Sequence, residues 1–167
     1  MKTLYLIRHA KSSWKDMSLS DFDRPLNKRG KNAAPLMGSK LKEKGVLPDF
    51  ILSSPANRAL TTAKVIAKEV GYPKGNIQTA DQIYHAATST LLQVVCELDD
   101  SYDTVFMFGH NPGFTDFANY LTGSYIGNVP TCGVVHIAFE ATNNWAAVSA
   151  ETGTLVEFDF PKHYGDY

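Results

Sequence analysis

Leu4-Tyr5-Leu6-Ile7-Arg8-His9 sets four apolar residues directly before an arginine and a histidine. So short an apolar run suits a strand buried on both faces, as in a parallel sheet. Two later segments repeat the arrangement. Phe50-Ile51-Leu52-Ser53 runs into Ser54-Pro55, with Arg58 one turn into the helix expected to follow. Residues 104–109 run into His110-Asn111-Pro112. In open sheets of parallel strands, ligand sites gather at the carboxyl ends of the strands. If these three strands are neighbours, two histidines and two arginines meet at one place.

The segments between the strands read as helices. Residues 28–44 are helical in pattern, with Asn27 as the N-cap and Gly45 as the stop. Pro35 inside that stretch should bend the helix or delay its start. Ser54 and Pro55 read as N-cap and first helical residue of a helix continuing over 56–70, which Gly71 ends. Thr88 or Ser89 caps another helix running to Leu98, and Asn111-Pro112 opens one that reaches about Leu121. Residues 16–25 are polar and read as a loop. Residues 134–140 and 146–158 alternate apolar and polar side chains around an Asn143-Asn144 turn, the pattern of an antiparallel hairpin. The expected fold is α/β: a three-layer α/β/α sandwich, with a mainly parallel sheet and the hairpin near the C-terminus.

A site holding two arginines, two histidines and two helix N-termini suits an anion. Arginine presents paired donors that match phosphate oxygens. A histidine that is partly neutral near pH 7 is a competent nucleophile. The residue types therefore point to phosphoryl transfer through a phosphohistidine, in which positioning and charge stabilisation do most of the work.

The bulk properties are compatible with this chemistry. A chain of 167 residues is expected to form one domain and to bury enough surface to fold without staples. A net charge of -1 excludes the broad basic excess of a nucleic-acid binder, yet permits a local positive pocket. Cys96 and Cys132 form no disulfide framework and read as two small buried thiols. No stretch is apolar enough to span a membrane, and the charged N-terminus is no signal peptide, so a cytoplasmic location is expected.

Three motifs carry a family resemblance. Leu6-Ile7-Arg8-His9-Ala10 resembles the Arg-His-Gly signature of the histidine phosphatase superfamily, also called phosphoglycerate mutase-like. Ser53-Ser54-Pro55-Ala56-Asn57-Arg58-Ala59 with Thr62-Ala63 resembles the second motif, and Gly109-His110-Asn111-Pro112-Gly113 the third. They occur in family order. The short length and the Asp21-Phe22-Asp23-Arg24-Pro25-Leu26 segment with Arg29-Gly30 look closest to the compact SixA-like phosphohistidine phosphatases.

The resemblance implies the roles. His9 matches the nucleophile, Arg8 and Arg58 the phosphate clamp, and His110 a protonated partner to a phosphoryl oxygen. A backbone carbonyl is expected to hold the His9 tautomer. Ala10 departs from the glycine of many members, which is tolerable unless the backbone there needs positive φ. A carboxylate general acid is missing. His85 stands near that position by counting and is the candidate, as histidine can donate a proton near neutral pH. Ser12, Lys15 and Asn111 are substrate-binding candidates. Asp21 and Asp23 read as ordinary loop carboxylates. No metal or cofactor is expected. The expected partner is a phosphorylated protein or a small phosphorylated metabolite, with no nucleic acid and no membrane.

Other readings stay open here. One is a metabolite phosphomutase, against which the lack of any lid-building insertion counts. Another is a non-catalytic phosphate-binding module of the same fold, to which a nucleophile is useless. A metal-dependent hydrolase would want paired carboxylate ligands near the histidines.

Overall fold

A computed structural model describes residues 1–165. Among them, six strands form one sheet: β1 (Lys2–Arg8), β2 (Phe50–Ser53), β3 (Gln78–Thr79), β4 (Thr104–Gly109), β5 (Val134–Phe139) and β6 (Thr154–Asp159). Their order is β3-β2-β4-β1-β5-β6. The first four run parallel, while β5 is antiparallel to both β1 and β6. Among the described residues there are four α-helices, α1 (Lys28–Glu43), α2 (Asn57–Val70), α3 (Thr88–Cys96) and α4 (Gly113–Thr122), and five short 3₁₀ turns.

The two-residue side-chain period of a strand explains the layers. Leu4 and Leu6 on β1, with Val105 and Met107 on β4, pack with Leu91 and Val95 of α3 and Phe114, Phe117 and Leu121 of α4. Tyr5 and Ile7, with Phe106 and Phe108, turn the other way, onto Ala33, Met37 and Leu41 of α1 and Ala63 and Ile66 of α2. Both faces are buried, which is why these strands read as continuous apolar runs. The three-layer α/β/α sandwich and its mainly parallel sheet are therefore as expected.

Several local expectations need correcting. α1 starts at Lys28 with Pro35 inside it, so the proline does not delay the start. Burial of Ala33, Ala34, Met37, Gly38 and Leu41 outweighs the roughly 3 kcal/mol that an interior proline costs. Asn27 caps it as expected, accepting from Gly30 N. The hairpin is not a tight one. β6 begins only at Thr154, and the connection folds back so that Trp145 is buried in the core, its indole N–H donating to Tyr102 O. Asn144 caps the short 3₁₀ turn Trp145–Ala147 instead of making a hairpin turn. α3 ends at Cys96, short of Leu98, and neither Thr88 nor Ser89 caps it; Ala87 holds that position without a side-chain bond. Of the two thiols only Cys132 is fully buried, while Cys96 is partly exposed. The short edge strand β3 went unread, since two exposed residues carry no periodicity.

The topology sets up the site. β4 lies between β1 and β2, with Arg8 opposite Gly109 and Ser53 opposite Phe108. Three strands thus end level with one another, and the residues that follow them are neighbours.

Candidate active site

His9, Ser54 and His110 each leave the sheet at this edge. His9 N donates to Gly109 O at 3.0 Å, and Ser54 N donates to Phe108 O at 2.9 Å. The ring centroids of His9 and His110 lie 5.2 Å apart. Close packing demands glycine at 109, because a Cβ there would meet the Phe114 ring at 2.5 Å.

His9 is held as a nucleophile should be. Its Nδ1–H donates to Ala10 O at 2.7 Å, so the lone pair is left on Nε2. Ala10 N in turn donates to Thr62 Oγ1, and that hydroxyl donates to Arg58 O. The second motif therefore braces the first through Thr62. Ala10 has no positive φ and its methyl is fully buried, so its departure from glycine is accommodated.

Arg8 and Arg58 flank the histidines. Arg8 Nη1 donates to Val129 O at 3.0 Å. Arg8 Nε and His110 Nδ1 are buried and have no hydrogen-bond partner in the protein. Buried polar atoms are rarely left so, and both can donate to a phosphoryl oxygen. Arg58 Nη1 donates to the backbone oxygen of Asp21 at 2.7 Å, and its Nη2 to Asp21 Oδ2 at 3.0 Å. His110 Nε2 lies 2.7 Å from Ser54 Oγ, which also accepts from Ala56 N. With the proton of a neutral ring on Nδ1, the Ser54 hydroxyl donates to Nε2 and His110 offers its Nδ1–H to the site.

Burial sets the protonation of both rings. Burial depresses His9 to about 4, against the bond to Ala10 O, and Arg58, Arg8 and Arg24 depress it further. Burial, His9 and Arg58 push His110 down to about 3. Burial and the neighbouring guanidinium groups thus favour the neutral form of both rings, while the protonated His110 that the resemblance implies belongs to the phosphoryl-bound site. A bound phosphoryl dianion would favour the charged form of His110. Imidazole NMR of ¹⁵N-labelled protein checks this. Neither ring should titrate above about pH 5, and an oxyanion should raise the His110 midpoint. Titration of either free ring near 6.5 would contradict it. Folding binds these protons more weakly than the unfolded chain does. The stability owed to the neutral rings is thus complete above 6.5 and is lost as pH falls through about 4 and about 3.

The loop before α1 supplies groups that the sequence reading missed. Asp21 accepts from Arg58, from Arg24 Nη1 at 2.9 Å and from the Tyr84 hydroxyl at 2.5 Å. Burial opposes its ionisation, but the bonds from Tyr84, Arg24 and Arg58 win and hold its carboxyl well below the usual range. It is a fixed anion, not a proton donor. Arg24 is buried and stacks over the Trp14 ring at 3.2 Å. The available signal was the Asp21-x-x-Arg24 spacing beside Pro25, which loop composition alone could not separate from a turn.

The remaining candidates differ in their fates. His85 stands at the mouth, with 67% of its side chain exposed and Nε2 3.8 Å from Asp21 Oδ2. Lys15 is exposed and lines the same cleft. Ser12 Oγ is taken by Arg24 Nη2 at 2.5 Å, so it orients that arginine. Asn111 spends both amide hydrogens on Asn128 Oδ1 and Val129 O, and its oxygen accepts twice from Thr115. That corrects its side chain's assignment: the Asn111 amide ties down the turn ahead of α4 and has no hydrogen to spare for substrate, although the residue lines the cleft. Among the described residues, no cluster of three or more His, Cys, Asp or Glu side chains is placed to hold a metal, and no helix is long and apolar enough to cross a membrane.

Comparison with known proteins agrees with this geometry. Residues 4–83 match the histidine phosphatase superfamily (branch 1). The crystal structure of a candidate phosphohistidine phosphatase SixA from Agrobacterium tumefaciens has a TM-score of 0.80 and 25% identity, and covers 96% of this chain and 98% of that one. The fold is also that of a protein histidine phosphatase SixA complexed with tungstate, at a TM-score of 0.76 and 19% identity, covering 95% of this chain and 97% of that one. An uncharacterized chloroplastic protein of Arabidopsis thaliana is 35% identical over 161 residues, which are 91% of this chain and 72% of the relative. A match that spans the first two motifs, and a relative alike over most of both lengths, make this chain a member of the histidine phosphatase superfamily, with SixA-type proteins among its structural neighbours.

Proposed function

We propose that the protein is a phosphatase that works through a phosphohistidine on His9 and needs no metal ion. The observation that carries this is the fixed tautomer of His9: a buried ring whose Nδ1–H is given to Ala10 O, leaving Nε2 free in a cleft that Arg8 and Arg58 also line. His9 Nε2 attacks phosphorus in line, a P–N bond forms, and the bond to the leaving atom breaks. Arg8, Arg58 and the His110 Nδ1–H meet the charge on the phosphoryl oxygens. A water molecule then attacks the same phosphorus, the P–N bond breaks, and inorganic phosphate leaves with His9 restored. His85 gives a proton to the leaving group in the first step and takes one from water in the second.

The substrate class is a protein phosphohistidine or a small phosphoester. Tungstate, an oxyanion shaped like phosphate, is the ligand named for one structural neighbour, which suits this reading. Among the described residues no aspartate or glutamate lines the cleft to act as proton donor, which suits a phosphohistidine, whose imidazole leaves readily once protonated.

Comparing p-nitrophenyl phosphate with an alkyl phosphate in excess EDTA tests the scheme, using the natural chain and His85→Ala. The natural chain should keep full activity. His85→Ala should lose about tenfold or more on the alkyl phosphate and much less on the better leaving group. Activity that disappears with EDTA, or equal losses on both substrates, would contradict the metal-free and proton-donor roles respectively.

A further inference from the structure

All four arginines of the chain, and four of its twelve lysines, line one open cleft of about 1230 Å³ that contains His9 and His110. Among the described residues no aspartate or glutamate lines it, although the whole chain carries a net charge of -1. Half the positive side chains of a slightly acidic protein are thus gathered at one concavity. Arg8 and Arg58 serve the phosphoryl group, and Arg24 is occupied by Asp21 and Ser12. Lys11, Lys15, Lys28, Arg29 and Lys31 are left over. Among the described residues none of the five pairs with a carboxylate, and all are exposed.

Three of the five begin α1, where cations are disfavoured by the helix dipole and where no acid stands in the first turn. Helix stability would choose the opposite charge there. The position is nevertheless enforced. Asn27 N donates to Lys11 O, and a Cβ at residue 30 would collide with that same carbonyl, so only glycine lets α1 start hard against the segment that follows His9. The fold holds unfavourable cations in the cleft that contains the nucleophile.

We infer that this arm of the cleft binds a second anionic group, so that preferred substrates are small molecules carrying a phosphate or carboxylate besides the phosphoryl group removed. This rests on the proposed phosphatase activity. The cations line a concavity continuous with His9, roomy enough at about 1230 Å³ for a small molecule with two charged groups, and a concavity suits such a ligand better than it suits a flat protein interface.

The test compares alkanediyl bisphosphates, from propane to hexane, with their alkyl monophosphates. In low salt the best bisphosphate should exceed its monophosphate in kcat/KM by about tenfold or more, and added salt should shrink the ratio. Combining Lys28→Gln, Arg29→Gln and Lys31→Gln should bring the ratio close to one. The charge-matched set Lys64→Gln, Lys68→Gln and Lys74→Gln, on exposed residues away from the cleft, should keep it. A ratio near one in the natural chain, or a ratio unchanged by the triple variant at α1, overturns the inference. So does an acidic phosphohistidine peptide that outperforms every bisphosphate. Calorimetric binding of the same ligands to His9→Ala separates the two claims. A bisphosphate preference there without turnover by the natural chain would keep the anion arm and remove the phosphatase reading. Turnover of p-nitrophenyl phosphate without any such preference would do the reverse.

Discussion

His9→Ala is expected to lower kcat by about a thousandfold or more on every phosphorylated substrate, because the proposed covalent intermediate forms on its Nε2. The fold should survive, since the ring makes only the bond to Ala10 O at the edge of the sheet. Arg8, Arg58 and His110 remain, so tungstate should still bind. Activity assays, a melting curve and oxyanion titration together check this. Loss of activity with binding intact is the signature of a missing nucleophile. Residual turnover above about a thousandth of the natural rate would reject His9 in that role.

The second large effect is expected at Arg58. Arg58→Ala should reduce kcat/KM by about a hundredfold to ten-thousandfold, through loss of a charged donor pair in a desolvated site. It should also destabilise the loop ahead of α1, because Arg58 holds both the carboxylate and the backbone oxygen of Asp21. Arg58→Lys keeps the charge but not the planar fork, and should recover less than about a tenth of the activity. A loss smaller than about tenfold in the alanine variant would mean that Arg58 serves Asp21 alone and that the phosphoryl group is held elsewhere.

The two histidines show how strongly the site depends on its ligand. Burial and the neighbouring guanidinium groups push both rings toward the neutral form. Neutral His9 is already nucleophilic. His110 can donate through Nδ1 while neutral, and more strongly once a dianion makes its protonation favourable. Ser54 can serve both states, donating to the neutral ring and accepting from the charged one. Asp21, in contrast, stays ionised and fixes the position of Arg58.

What could be read beforehand was local. Apolar runs ending in Arg8-His9, Ser53-Ser54 and Gly109-His110 revealed both the sheet and the convergence, because burial on two faces forces that composition. The carbonyl that fixes His9 was also foreseeable from the needs of a nucleophilic imidazole. Ser54 reads as a helix cap by position, but α2 is capped at Ala56, and the Ser54 hydroxyl accepts from Ala56 N and lies against His110. Sequence spacing cannot show a partner 56 residues away. Asp21, Arg24 and Tyr84 were hidden for the same reason: two lie in a loop without periodicity and the third arrives from beyond α2. Asn111 looked like a ligand group, and only its four internal bonds reveal a brace. The loose hairpin was misjudged because a buried Trp145 leaves no trace in an alternating pattern.

The most direct test is to trap the intermediate. The protein is mixed with a ³²P-labelled substrate, quenched within milliseconds in base, digested and mapped. The expected result is acid-labile, base-stable label on the peptide containing His9, forming and decaying fast enough to account for turnover and absent from His9→Ala. Turnover with no protein-bound label, or label on a residue other than His9, would contradict the account.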